Sequence, residues 1–178
     1  MCVLFLLYYQ KGGNILEKYM LEAIKEAKKS LKSGDVPVGA VIVENGKIIS
    51  RGHNKKEKTH KATSHAEIEA INKACKKKKN WYLNECTMYV TIEPCMMCCG
   101  AIIQSRIKKV VYGSKNEKFG YVESVSRAFE NKNNHNVKIE TGILKNECSK
   151  LLKDFFKEKR KWLIQKNIIF LNFFLNDS

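Results

Sequence analysis

The sequence predicts an α/β protein whose helices and strands pack in layers, and three observations lead to this fold class. Short runs rich in β-branched residues alternate along the chain with stretches whose apolar residues recur at helical spacing. An Asn-Gly turn joins two of the strand-like runs as a hairpin. Of the 178 residues, 44% are hydrophobic, which suits one domain with a sizeable core and argues against disorder.

The first half of the chain predicts a helix, the hairpin, a loop and a second helix. Apolar residues at helical spacing indicate a helix over residues 17–33, and Gly34 then acts as a stop signal. Residues 38–43 and 47–50 form the two strands of the hairpin. The polar stretch that follows predicts a loop, after which a helix is expected to begin at Ser64.

The second half continues the alternation. Residues 87–92 indicate a strand, and Pro94 is placed at the first position of the next helix, where proline is favoured. A short strand over residues 109–112 precedes a loop over residues 113–120. A weak strand and a last amphipathic helix complete the pattern, at residues 137–140 and 144–156.

The predicted domain covers residues 15–161 and lies between two apolar extensions. Residues 1–14 form an extension of unknown role that is too short to span a bilayer. Residues 162–178 form a tail in which polar residues interrupt the apolar ones. This tail could extend the last helix or form an oligomer contact, and we expect no membrane association.

Charge and cysteine usage restrict the partner and the compartment. The formal net charge is +15, which suits a phosphate-rich partner, although lysines that serve only solubility would give the same total. The seven cysteines are not spaced like a secreted disulfide framework. They indicate a reducing, cytoplasmic location in which some of them bind metal.

Two short motifs carry the chemistry, Pro-Cys-x-x-Cys and His-x-Glu. At the start of a helix, Cys95 and Cys98 would share the first turn, where the helix dipole favours thiolates. Two thiolates supply half of a tetrahedral zinc site, and His65, which also begins a helix, is the strongest candidate for a third ligand. Side chains at two helix starts can point into one cleft, which would bring Glu67 beside the metal.

This ligand set would leave zinc an open position. Three protein ligands plus an open position are typical of catalytic zinc, whereas structural zinc sites are closed. Zinc lowers the pKa of bound water toward ~7, and a nearby carboxylate can take the proton. His65, Cys95 and Cys98 are therefore the candidate metal ligands, and Glu67 is the candidate catalytic residue for hydrolytic attack on an electrophilic carbon.

Simpler explanations of the two motifs compete with this one. A lone Cys-x-x-Cys can be a redox pair, but nothing in the chain resembles a thioredoxin unit. It can also be half of a structural zinc site, for which further ligands exist without a second paired spacing: Cys75, Cys86, Cys99, His53 and His60. The combination of both motifs at helix starts is a known signature of zinc nucleobase deaminases.

Beyond these motifs, residues 17–160 resemble the tRNA-specific adenosine deaminase family, which converts the wobble adenosine of certain tRNAs to inosine. The zinc signature alone is shared by all cytidine-deaminase-like enzymes. The similar stretches are residues 35–43 (DVPVGAVIV), 52–54 (GHN), 65–71 (HAEIEAI), 89–107 (YVTIEPCMMCCGAIIQSRI), 110–113 (VVYG) and 142–160 (GILKNECSKLLKDFFKEKR). The last stretch discriminates best, because it is similar to the C-terminal helix of the bacterial tRNA enzyme.

The resemblance implies a cytidine deaminase-like fold, which is a three-layer α/β/α arrangement with a mixed five-stranded sheet. It also implies one Zn2+ per subunit and a homodimer with its active sites near the interface. By position, Asn54 matches the family asparagine that holds the flipped nucleotide, and the base-pocket positions match Pro37, Val38, Ile92 and Pro94. Contacts with the tRNA anticodon stem-loop are expected at Asn116, Phe156, Lys157 and Arg160. The basic residues themselves suggest phosphate contacts at Lys55, Lys56, Lys58, Lys157, Lys159 and Arg160.

The chain departs from the family pattern at Asn116, where the bacterial family usually has aspartate in a loop that touches nucleic acid. The stretch NEKFG at residues 116–120 is more similar to the catalytic subunit of the eukaryotic two-subunit enzyme. The first fourteen residues, the Asn-rich stretch before the weak strand and the tail after Lys161 have no family counterpart.

The expected function is zinc-dependent hydrolytic deamination of adenosine to inosine at position 34 of tRNA. One alternative is a deaminase of free nucleobases or nucleosides, such as cytosine or guanine, and another is the catalytic subunit of a heterodimeric tRNA deaminase. A non-catalytic RNA-binding subunit is opposed by the presence of Glu67. A structural zinc protein would predict that Glu67→Ala leaves function intact.

Overall fold

The computed structural model describes residues 14–176, with side chains described as far as residue 166. The elements in chain order are α1 (Ile15–Ser30), β1 (Gly39–Glu44), β2 (Lys47–His53), α2 (Lys56–Thr59), α3 (Ala66–Lys78), β3 (Thr87–Ile92), α4 (Met96–Gln104), β4 (Lys109–Ser114), β5 (Lys138–Thr141) and α5 (Lys145–Asn176). A short 3-10 helix, Leu31–Ser33, follows α1. The predicted alternation of helices and strands is thus confirmed.

The five strands form one mixed sheet, as predicted, and their order in the sheet is β2-β1-β3-β4-β5. β1 pairs antiparallel with β2 and with β3, whereas β4 pairs parallel with β3 and with β5. The carboxyl ends of β3 and β4 therefore lie side by side. Ligands of open α/β sheets bind outside the carboxyl ends of parallel strands, and α4, with the Pro-Cys-x-x-Cys motif, begins just beyond this end of β3.

Apolar side chains cover both faces of the sheet, which confirms the three-layer α/β/α fold. One buried cluster joins the strands to α3 and α4 and includes Ala40 and Ile102. The other joins the strands to α1 and α5 and includes Met20, Val41 and Cys148. The neighbouring residues Ala40 and Val41 enter opposite clusters, because successive side chains of a strand point to opposite faces.

Several element boundaries differ from the sequence prediction. α1 begins two residues earlier than predicted, because Asn14 caps it by accepting a hydrogen bond from the Leu16 N–H at 3.0 Å. The predicted stop at Gly34 is confirmed, since its φ of +70° is a left-handed conformation that glycine adopts readily. β2 and β4 run longer than predicted, to His53 and Ser114.

The predicted polar loop contains a short helix, α2, that the sequence did not indicate. Its N-cap residue Lys55 supplies no side-chain cap. Instead the buried carboxylate of Asp35 accepts hydrogen bonds from the N–H groups of Glu57 and Lys58, at 2.6 and 3.4 Å. A capping group so distant along the chain cannot be recognised from the local sequence pattern.

α5 continues without a break to Asn176, so the tail extends the last helix, which is one of the two alternatives that the sequence left open. Cys148 and Leu151 pack against the sheet, whereas every described side chain from residue 156 to residue 166 is exposed. Among the described residues, no helix is both long and apolar enough to cross a membrane. The predicted extension at residues 1–14 lies outside the described residues, except for Asn14.

Candidate metal centre and active site

The structure brings His65, Cys95 and Cys98 together near the carboxyl end of β3. His65 Nδ1 lies 3.7 Å from Cys95 Sγ and 3.6 Å from Cys98 Sγ. The three potential ligand atoms all lie within 4.8 Å of one another. A tetrahedral zinc ion with ordinary Zn–N and Zn–S bonds would hold a nitrogen and a sulfur ~3.6 Å apart. The donor types and their spacing therefore fit zinc.

This group supplies three ligands and not four. Within the part of the chain whose side chains are described, no other His, Cys, Asp or Glu joins the group. Three protein ligands leave one position of a tetrahedral ion open, which is the arrangement of catalytic zinc sites. The group therefore lacks the further ligand that a closed structural site would need. It includes none of the residues that could have supplied one, which are Cys75, Cys86, Cys99, His53 and His60.

His65 and Cys95 occupy the N-cap positions of α3 and α4. Both have extended backbones, with φ/ψ of −77°/154° and −77°/173°, and neither side chain caps its own helix. α4 begins at Met96, so the prediction that Pro94 opens this helix was wrong, because Cys95 takes the cap position between them. Cys98 lies in the first turn, where the positive end of the helix dipole stabilises a thiolate.

The cap position of His65 explains how two residues only two apart serve one site. Within a helix such residues point in different directions, but the extended backbone of His65 takes its side chain off the helical path. Glu67, in the first turn of α3, has its carboxyl within hydrogen-bonding reach of the Cys98 thiol. Glu67 is 3% exposed, and this burial raises the pKa of its carboxyl.

The two sulfurs of the group differ in their electrostatics. A hydrogen bond from the Cys98 thiol lowers the pKa of Cys95 to about 4, and the same bond, together with burial, raises the pKa of Cys98. Hydrogen bonding to Cys95 raises the pKa of His65. All six described thiols are free. Burial raises the pKa of the four that lie outside the group: Cys75, Cys86, Cys99 and Cys148. Cys95 is therefore the only described cysteine whose thiol pKa lies below its ordinary value.

The predicted base-pocket residues lie at adjacent ends of β1 and β3. The N–H of Gly39 donates a hydrogen bond to Thr91 Oγ1 at 3.2 Å, which holds the start of β1 beside the end of β3. Pro37 and Val38 directly precede Gly39, and Ile92 and Pro94 follow Thr91. Val38 and Ile92 are half-buried, whereas both prolines are buried. This placement suits a pocket wall, and contact with a base stays a prediction.

Asn54 joins two backbone segments beside the site. Its Nδ2 donates to the Val36 carbonyl at 3.2 Å, and its Oδ1 accepts from the Lys56 N–H at 3.4 Å. The side chain is 8% exposed, so these hydrogen bonds fix its orientation. Its contact with a nucleotide stays a prediction.

Two buried carboxylates near the site were not singled out from the sequence. Asp35 holds the start of α2, as described above, and Glu93 accepts hydrogen bonds from the loop that follows β4. Burial acts to raise the pKa of Glu93, but hydrogen bonds from Ser124 and from backbone N–H groups outweigh it and lower the pKa. The signal in the sequence was an acidic residue within an otherwise apolar stretch, as in DVPVGAV and VTIEPC.

Among the described residues, none of the predicted RNA-contact residues forms a hydrogen bond or an ion pair with the metal-binding group. These residues are Asn116, Phe156, Lys157 and Arg160. Phe156 is 45% exposed on α5, where Lys157 and Arg160 are exposed as well. Of the predicted phosphate contacts before α3, Lys55 is paired with Glu69 at 2.7 Å, whereas Lys56 and Lys58 are exposed.

Known proteins share both the sequence and the fold of this chain. Residues 16–160 match the family of MafB19-like deaminases. A tRNA-specific adenosine deaminase of Streptococcus pyogenes serotype M1 is 46% identical over 144 residues, which cover 80% of this chain and 84% of the relative. A solved structure from a study of A-to-I editing by tRNA:A34 deaminases at the wobble position has a TM-score of 0.74 at 35% identity, over 76% of this chain and 99% of that one. The guanine deaminase of Bacillus subtilis has a TM-score of 0.54 at 40% identity, over 56% of this chain and 64% of its own.

Proposed function

Because the chain belongs to the family of tRNA-specific adenosine deaminases, we propose that it deaminates adenosine to inosine by hydrolysis at the wobble position, nucleotide 34, of tRNA. The observation that carries this proposal is the group of His65, Cys95 and Cys98 with Glu67 beside it. The likeness to a tRNA:A34 deaminase structure supports the position. Relatives that are 44–46% identical over 80–83% of the chain are tRNA-specific adenosine deaminases, which favours tRNA over a free base as substrate.

One Zn2+ per subunit is the cofactor that the three ligands suit. When bound, zinc lowers the pKa of a water molecule toward ~7 and so makes it a nucleophile at neutral pH. His65 Nδ1 and the two sulfurs would hold the ion, and the positive end of the α4 dipole, beside Cys95 and Cys98, would stabilise their thiolate forms on the metal. The free state of all described cysteines supports a reducing, cytoplasmic setting in which these thiols stay available.

Glu67 carries the protons of the reaction. Its carboxyl takes a proton from the water that adds to C6 of adenine and delivers it to ring N1. It then takes the proton of the hydroxyl group that is now on C6 and gives it to the exocyclic amino group. The C6–N bond breaks as the C6=O bond forms and ammonia leaves, so adenosine and water give inosine and ammonia. The burial of Glu67 keeps bulk water from competing for these protons.

The tRNA anticodon loop suits the site because its bases are unpaired. An adenosine there can leave its stack at little cost and enter a pocket. The proposed lining of that pocket includes Asn54, whose orientation is fixed by its hydrogen bonds, and the half-buried Val38 and Ile92. The exposed cations, among them Lys56, Lys58, Lys157 and Arg160, supply contacts to the phosphates.

The zinc-loaded protein is expected to form inosine in the anticodon stem-loop of an arginine tRNA with an ACG anticodon. Its affinity for the stem-loop should fall as salt rises, because phosphate contacts release counterions. Four contacts would give a slope of log K against log salt of about −3. Inosine is measured by nucleoside chromatography, and binding by fluorescence anisotropy.

A stem-loop with guanosine at position 34, and the free compounds adenosine, cytosine and guanine, serve as controls. Turnover of the free compounds without inosine in the stem-loop would favour the free-base alternative. Absence of inosine would contradict the proposal for the isolated chain. Recovery of activity with a partner subunit would instead identify the catalytic subunit of a heterodimeric deaminase.

We also propose that a second copy of the chain covers the outer face of α4. Met96 is 63% exposed there, and the same face carries the exposed Gly100 and the half-buried Ile103, at helical spacings of four and three residues. An exposed apolar stripe beside Cys95 suits a self-complementary contact between two copies. Such a homodimer would place its interface next to each metal-binding group.

Gly100→Arg is expected to convert the dimer to a monomer in analytical ultracentrifugation. A Cβ at Gly100 meets no atom within 4 Å, and arginine is a better helix former than glycine by about 0.8 kcal/mol, so the subunit should still fold. Asn131→Arg, which adds the same side chain at an exposed position outside α4, should leave the dimer intact. A native protein that is monomeric at micromolar concentration would contradict the proposed interface.

A further inference from the structure

The carboxylate of Glu93 accepts five hydrogen bonds, although the proposed reaction assigns it no step. Glu93 directly follows β3 and is 1% exposed. Its Oε1 accepts from the N–H groups of Val122, Glu123 and Ser124 at 3.0, 2.8 and 3.0 Å. Its Oε2 accepts from the Asn116 N–H at 3.0 Å and from the Ser124 hydroxyl. A single charged group thus ties down both ends of the loop over residues 115–124, which we call the rim loop.

The rim loop is also fastened directly to the segment that carries Cys95. Gly120 forms an isolated β-bridge with Cys95, and the Tyr121 N–H donates to the Pro94 carbonyl at 2.8 Å. Gly120 approaches the carboxylate so closely that a Cβ there would lie 2.2 Å from the Glu93 carboxyl carbon. The position of the rim loop is therefore set by Glu93, and the loop borders the metal-binding group.

Between its anchored ends, the rim loop exposes an aromatic ring and a cation. Phe119 is 67% exposed, and its neighbour Lys118 is exposed too. Among the described residues, neither of the two buried apolar clusters includes Phe119. An exposed aromatic ring beside a lysine is the combination that stacks an unpaired base and contacts its phosphate.

We propose that Glu93 is a positioning residue, which holds the rim loop so that Phe119 stands beside the site as a stacking surface for a nucleotide next to the target adenosine. This inference rests on the proposed tRNA substrate. It assigns no chemical step to Glu93. It assigns to Phe119 the binding of RNA that flanks the reacting base, and to Glu93 the placement of that ring.

The first experiment replaces the anchor. Glu93→Gln keeps the shape of the side chain but turns an amide NH2 group toward backbone donors, so part of the hydrogen bonding is lost. We expect hydrogen exchange of residues 116–124 to accelerate by about tenfold or more, and KM for the stem-loop to rise about tenfold. We expect kcat to change less than threefold and the zinc content to stay the same. Glu123→Gln is the matched control, because its carboxylate lies in the same loop and accepts from Tyr112 and Lys115 but from no backbone N–H.

The second experiment removes the ring and leaves the anchor in place. Phe119→Ala should weaken stem-loop binding about tenfold, as expected for the loss of one base stack, without faster exchange in the rim loop. Phe119→Tyr should restore binding. Because Phe119 is exposed, both Phe119 variants should fold. They therefore test the inference even if Glu93→Gln fails to fold.

Two results would overturn the inference. In one, Glu93→Gln accelerates exchange but leaves KM and binding unchanged, which would make the anchor purely structural. In the other, Phe119→Ala binds the stem-loop as well as the native protein does. Stem-loop affinity and hydrogen exchange can be measured without turnover, so they separate this inference from the proposed function. A native protein that forms no inosine, but whose stem-loop affinity falls on Phe119→Ala, would contradict the proposed reaction and not the placement of the ring.

Discussion

Glu67→Gln is expected to lower kcat for inosine formation by at least about 10³-fold, because the amide cannot take up and return the protons that several steps need. The substitution keeps the volume of the side chain and replaces a residue that is 3% exposed with a neutral amide, so the fold should persist. Zinc content and stem-loop affinity should stay near the native values. Single-turnover kinetics, metal analysis and anisotropy measure the three quantities separately.

Glu69→Gln is the matched control for this prediction. Glu69 lies on the same helix and pairs with Lys55 at 2.7 Å, with about a fifth of each side chain exposed. Losing a pair of this kind costs only about 0–1 kcal/mol, so activity should stay within a few fold of native. If Glu67→Gln retained a tenth of the native kcat, Glu67 would not be the proton carrier.

Cys95→Ser is expected to abolish both metal binding and activity. A serine hydroxyl is not a ligand that zinc takes in place of a thiolate, so zinc should fall from about one per chain to near none. Because bound metal stabilises the transition state by several kcal/mol, the rate should fall by at least ~10³-fold. Metal content is measured by mass spectrometry of the purified protein.

Cys99→Ser is the control for the loss of zinc. Cys99 lies on the same helix and is buried, but its sulfur faces the Pro94 carbonyl at 3.6 Å and does not belong to the metal-binding group. This variant should keep its zinc. Chelation of the native protein should likewise abolish activity, and added zinc should restore it. Full activity after complete removal of metal would contradict the assignment of His65, Cys95 and Cys98.

Much of the fold could be predicted from the sequence, because the spacing of apolar residues along a short stretch depends on whether that stretch is a helix or a strand. Helical spacing of apolar residues located α1, α3 and α5, and Pro94 located the start of α4 to within two residues. β-branched runs located the strands, usually within a few residues of their observed bounds. A boundary can differ from the prediction because of one capping hydrogen bond, as at the start of α1, which Asn14 caps. The short helix α2 was missed because its capping group, Asp35, comes from another part of the chain.

The sequence by itself determined the chemical inventory of the site. The types and spacing of His65, Glu67, Cys95 and Cys98 were enough to predict a metal centre with a nearby carboxylate, since ligand chemistry is a property of the side chains. Only the tertiary structure decided that the imidazole and the sulfurs, thirty residues apart along the chain, meet within 4.8 Å. It alone showed that Glu93 gathers donors from a loop 23 to 31 residues away. Hydrogen bonds over such separations depend on how the strands pair and pack, and no local pattern of residues records them.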